Sequence, residues 1–120
     1  MKTIVHEHAG TKIIELVADS IIVTTPQDAL DLLMSASYEH GATKIILHQR
    51  NITPDFFDLK TRIAGEILQK VVNYRMQLAL VGDFGNVESD SLRAFILESN
   101  RGKHVFFCDS VDAAVKALRR

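Results

Sequence analysis

The sequence has a single cysteine, Cys108, and no excess of either charge. One cysteine excludes an intrachain disulfide and a cysteine-based zinc centre. With 14 Lys and Arg against 15 Asp and Glu, the net charge is −1. No basic face is therefore expected to displace counterions from duplex nucleic acid, and nucleic acid is set aside as a partner. No apolar run approaches the ~18 residues needed to cross a bilayer. The opening MKTIVHEHAG is too short and too charged for a signal peptide. A cytoplasmic domain with no membrane partner is expected. Also missing are a G-x-G-x-x-G turn, a P-loop and a G-x-S-x-G elbow, so no cofactor and no catalytic residue is nominated. Gly82-Asp83-Phe84-Gly85 contains the letters of a kinase metal-binding turn, but the accompanying catalytic and glycine-rich loops are absent. The expectation leans away from an enzyme.

What is present describes a packed α/β domain. At 120 residues, 47% hydrophobic and 24% charged, residues 1–120 form one domain with one core. Lys2 to His8 alternates as a strand, Ala9-Gly10 makes a turn, and Lys12 to Ala18 returns antiparallel. Ile21 to Val23 reads as a third short β-branched run. Thr25-Pro26-Gln27-Asp28 is a helix start, with a threonine cap, proline in the first turn and Asp28 placed to return to the cap. Gly41 ends that helix. Lys44 to His48 is a central buried strand. A second helix is expected from Thr53-Pro54, with Phe56, Leu59, Ile63, Ile67 and Val71 as its core stripe. Leu78 to Val81 and His104 to Phe107 are further strands. Ser89 or Ser91 caps a third helix and Ser110 a short fourth. Strands separated by helices call for parallel pairing with right-handed crossovers. The fold class is α/β: a mixed sheet with an N-terminal antiparallel hairpin and about four helices packed on it.

That element order resembles the STAS fold, shared by anti-sigma-factor antagonists and the cytoplasmic ends of sulfate transporters. The chain is closer still to a bacterial family of small STAS-like proteins known as a domain of unknown function, number four-one-eight-zero. The similarity lies in Gln27-Asp28-Ala29-Leu30-Asp31-Leu32, the run from Asn51 through Pro54 and Phe57 to Thr61, and Ala64-Gly65-Glu66-Ile67-Leu68-Gln69-Lys70. Asn73-Tyr74-Arg75, Val81-Gly82-Asp83-Phe84 and Glu98-Ser99-Asn100 extend it. The resemblance implies a fold and a bacterial origin and brings no established activity. The element order together with the missing catalytic signature leads to the expectation of a small regulatory or protein-binding domain acting through the surface at the start of the second helix. In anti-sigma-factor antagonists a serine in an Asp-Ser-Ser-Gly motif is phosphorylated at this helix start. Aligning the helix puts Lys60 at the aspartate, Thr61 at that serine, Arg62 at the second serine and Ile63 at the glycine. Thr61 keeps the hydroxyl and stands as the candidate for modification, without the acidic and small neighbours. A threonine on a polar helix face is more often simply solvated.

The place to look for function is the carboxyl-end rim of the parallel strands. His48, Arg50 and Asn51 follow one strand, and Asp83 and Phe84 the next. Asp109 and Ser110 follow the last strand. Asp55, Phe57, Asp58, Lys60 and Thr61 belong to the start of the second helix. Mixed charge beside exposed backbone N–H groups suits a protein partner or, alternatively, a small anion or nucleotide. An ion-paired rim is the plainer account of each residue singly. Self-association as a homodimer through exposed apolar residues is a further expectation. Phe57 cannot share a core layer with Phe56, so it packs under a loop or serves as a recognition handle. His6 and His8 share a strand face without a third ligand, so no metal is expected and both are read as solvated. Gly65, inside the second helix, is expected to mark close approach to a neighbouring element.

Overall fold

The computed structural model describes Met1–Arg120. Five strands form one sheet in the order of the chain: β1 (Lys2–His8), β2 (Thr11–Val17), β3 (Lys44–His48), β4 (Gln77–Val81) and β5 (Val105–Cys108). β1 pairs antiparallel with β2, and β2 to β5 run parallel. The hairpin closes through Ala9 and Gly10, both at positive φ (51° and 84°), the twist that a two-residue connection between right-twisted strands requires. Four helices follow the parallel strands: α1 (Pro26–His40), α2 (Ile63–Asn73), α3 (Asp90–Arg101) and α4 (Val111–Leu118). The expected mixed α/β sheet with its opening hairpin is the fold. No helix is long and apolar enough to cross a membrane.

Right-handed crossovers between successive neighbouring strands put α1, α2 and α3 on one face. There Ile14, Leu16, Ile45, Leu47, Leu78, Leu80, Val105 and Phe107 meet Ala29 and Leu33 of α1 and Ala64, Ile67 and Val71 of α2. α4 turns back onto the other face, over Ile13, Ile46, Ala79 and Phe106. The Lys44 ammonium, on that face, donates to the Leu118 carbonyl at the end of α4, where a cation complements the helix dipole. β3 is the energetic centre: Ile45, Ile46 and Leu47 are essentially fully buried, each contributing about 1.5–3 kcal/mol. β1 is the opposite case, with no buried residue.

Local signals explain most helix starts. Thr25 and Asp28 form the reciprocal capping box with Pro26 in the first turn, and Gly41 ends α1 in the left-handed region. Ser89 caps α3 and Ser110 caps α4.

Two expectations are corrected. Ile21 to Val23 is not a strand; only an isolated bridge joins Val23 to Ile52. α2 does not begin at Thr53-Pro54. Thr53 and Pro54 do start a helical turn, but a short 3-10 one, Pro54–Phe57, followed by another, Leu59–Thr61. Side chains compete here with the helical backbone: Asp58 Oδ1 accepts from Lys60 N, and the Thr61 hydroxyl meets the carbonyls of Asp55 and Asp58. That competition disfavours a continuous helix. Arg62, at φ 67°, resets the chain before α2.

Candidate functional site

Hydrogen bonds lace most of the carboxyl-end lip of the sheet shut. Asn51, wholly buried, accepts at its backbone oxygen from Ile22 N (2.8 Å) and Val23 N (3.1 Å). Its side-chain amide donates to Ala18 O (2.7 Å) and Ser20 O (2.9 Å). A single residue, three past the end of β3, thus pins the β2–α1 loop at Ala18, Ser20, Ile22 and Val23. Its Oδ1 has no protein partner. Gln49 makes the next stitch, accepting from Asp83 N at 3.0 Å. Gly82 permits it: a Cβ there would lie 2.3 Å from Gln49 Oε1 and 2.6 Å from Gln49 Cβ.

The lip opens on the β5 side. A cleft of about 600 Å³ runs along the outer edge of β5 between α3 and α4, lined by Asp83, Phe84, Phe107, Cys108, Asp109 and Arg120 among others. Asp83 shapes its own loop by accepting from Gly85 N, the Asx turn expected of an aspartate there. Burial first, and then Asp109, pushes the Cys108 thiol above its usual 9.0, with Arg120 pulling the other way. Such a thiol is protonated at neutral pH and is a poor nucleophile.

Beside the cleft lies a chain of aromatic rings. Phe56 is buried in the core and meets Phe57 edge-on at 4.8 Å. Phe57 reaches Phe84 at 5.9 Å, and Phe84 stands edge-on to Phe107 at 5.2 Å. Phe57 and Phe84 remain half-buried. They bridge the 3-10 turns to the Asp83 loop and form the apolar part of the lip's outer surface.

The predicted residues divide into three groups. Phe57, Asp58, Lys60 and Thr61 lie on or beside the 3-10 turns, with Asp55 in the first of them, and Asp83 and Phe84 face them across the aromatic contact. Thr61 is exposed, but its hydroxyl already donates within the turn. Arg50 is exposed, and no ion pair involves its side chain. Asn51 is inside, spent on the lacing.

His48 belongs elsewhere. Its side chain lies on the α4 face of β3, where Nε2 meets Glu15 Oε2 at 2.6 Å. His6 Nε2 meets Glu15 Oε1 at 2.9 Å. His6 is therefore not the solvated residue expected from the sequence. A buried carboxylate sits between two imidazoles on this face of the sheet. Pairing explains the arrangement: Glu15 is level with Ile4 on β1 and Ile46 on β3, so His6 and His48 are its diagonal neighbours. Burial is the strongest influence on Glu15 and raises its pKa. The hydrogen bonds from His6 and His48, with their charge, outweigh it and hold the carboxyl below its usual 4.5. The chain contains no group of His, Cys, Asp and Glu arranged to hold a metal ion.

Nothing in the sequence singles out Glu15 or Arg120, and neither Gln49, in the polar run after β3, nor Asn100, in the family-like Glu98-Ser99-Asn100, carries a sign of the bond it makes. Strand alternation alone puts Glu15 and His6 on definable faces, but only the register brings them together.

Residues 8–118 match one family model, described as Domain of unknown function (DUF4180). No curated protein and no solved structure matches the chain.

Proposed function

The chain belongs to this family, and from that premise we propose that it is a non-enzymatic, protein-binding regulatory domain that docks its partner on the open part of the lip. The observation that carries the reading is the half-buried pair Phe57 and Phe84 beside the β5 cleft, with Asp83 and Asp109 lining that cleft and exposed Lys60 in the turn that follows Phe57. Aromatic side chains half out of water next to mixed charge are the usual anchors of a protein interface. A STAS-like relationship and a bacterial, cytoplasmic setting belong to the same proposal, supported by the element order and the sequence resemblance.

A small anion is the weaker alternative for this cleft. Asp83 and Asp109 set two carboxylates against the single guanidinium of Arg120, a balance that repels phosphate.

The test is comparative affinity capture from a bacterial lysate with wild type, Phe57→Ala, Phe84→Ala and Lys60→Glu, each first shown to melt cooperatively. A partner held by wild type and lost from the variants is the expected result. Equal recovery by all four overturns the docking surface. A thermal-shift panel of phosphates, nucleotides and carboxylates tests the alternative, because a ligand at a hundred times its Kd adds ~2.7 kcal/mol to stability.

A further inference from the structure

The two edges of the sheet are finished differently. At β5 the side-chain amide of Asn100 takes the place of a neighbouring strand: Phe107 N donates to Asn100 Oδ1 (2.7 Å) and Asn100 Nδ2 donates to Phe107 O (3.3 Å). That plug occupies the outward backbone groups of Phe107, in the middle of the edge a further strand would need. At β1 no side chain hydrogen-bonds to the backbone of the strand. The strand is seven residues long, it lacks proline and bulge, and none of its residues is buried. Val5 is 47% exposed on one face, and Ile4 is only partly covered on the other. The outward N–H and C=O groups of such an edge are a template for a further extended strand.

We propose that β1 pairs antiparallel with β1 of a second copy of this chain, with Val5 on the two-fold axis, joining the two sheets into one of ten strands. Self-complementarity selects the second copy. A two-fold axis perpendicular to the sheet keeps each residue on its own face, so pairing sums must be even. The register centred on Val5 is the one that pairs all seven residues. On one face Val5 meets its own copy and Glu7 meets Thr3. On the other, Ile4 meets His6 and Lys2 meets His8. No carboxylate faces a carboxylate. Ile4 from each copy then covers the exposed side of the other's His6, which holds Glu15.

The pairing goes beyond the docking surface at the lip, which lies at the opposite edge and remains free in the dimer. Sedimentation or light scattering over a wide concentration range is the first measurement. Wild type is expected to move from 13.4 kDa to twice that mass as concentration rises. Val5→Glu and Val5→Lys each place like charges against each other on the axis and are expected to stay monomeric. Their equimolar mixture is expected to regain the dimer mass. Val5 is already half in water, and unchanged circular dichroism and melting of the monomers separate a lost interface from a lost fold. A wild type that stays monomeric throughout, single variants that dimerise like wild type, or a mixture that does not recover each overturn the proposal.

Discussion

Glu15 is kept ionised inside the sheet by two neighbours that approach from opposite sides. A carboxylate taken out of water loses hydration, and only charge-assisted hydrogen bonds offset that loss. His6 and His48 each supply one, and the net effect is a carboxyl pKa below 4.5. The stability this group contributes is fully present above the unfolded value of about 4.5 and fades as pH falls through the lower folded value. In Glu15→Gln that acid-sensitive contribution is absent. Urea midpoints measured from neutral pH downward should fall more steeply for wild type than for Glu15→Gln below about pH 4.5. Parallel profiles would mean that acid sensitivity arises elsewhere. The cluster also illustrates what a sequence withholds. His6 and Glu15 lie on adjacent strands of one hairpin, but His48 is 33 residues further on, and nothing local ties it to the other two.

At the level of elements, helix starts are legible where the signal is self-contained. The Thr25–Asp28 box, the Ser110 cap and the Gly41 stop involve residues within four of each other, and each is readable from the letters. The start of α2 is not, although its cap and proline are real. Asp58 and Thr61 divert the backbone by side-chain bonds whose strength against helix propagation has no local signature. Ile21 to Val23 reads as a strand because β-branched residues favour extension; the bonds to Asn51 claim the backbone of Ile22 and Val23 instead. Among the candidate site residues, strand order alone is enough to bring Phe57 and Lys60 of the 3-10 turns to the same end of the sheet as Asp83 and Phe84, where the Phe57 and Phe84 rings meet. It misplaces Asn51 and His48, since the rim's lacing and the facing of β3 decide them.

Two glycines separate on the same ground. Gly65 meets nothing within 4 Å of where a Cβ would stand, so the expected close approach does not exist. Gly65→Ala should raise stability by about 0.5–1 kcal/mol through helix propensity and reduced unfolded-state freedom. Gly82→Ala must displace Gln49 from its Asp83 bond and should cost about 1–3 kcal/mol. Chemical denaturation of the two variants is expected to give shifts of opposite sign.

For the molecule as a whole, burial is graded from the middle strands to the hairpin edge. β3 is covered on both faces, by α1 and α2 on one and α4 on the other, whereas β1 has no buried residue and only Ile4 and His6 partly covered. Local opening free energies track such gradients. Native-state hydrogen exchange in dilute protein should therefore find the amides of β3 and β4 slowest and those of β1 fastest. Equal protection of β1 and β3 at low concentration would contradict the gradient.

The sheet's order along space is also its order along the chain. Every strand's partner is the one made just before it, and no strand is inserted between two already joined. A polypeptide emerging from the ribosome can lay each new β–α unit against a finished flank, and nothing assembled earlier has to come apart to admit a later strand. Growth stops where Asn100 turns its amide onto β5, a terminus written into the very crossover that delivers the final strand.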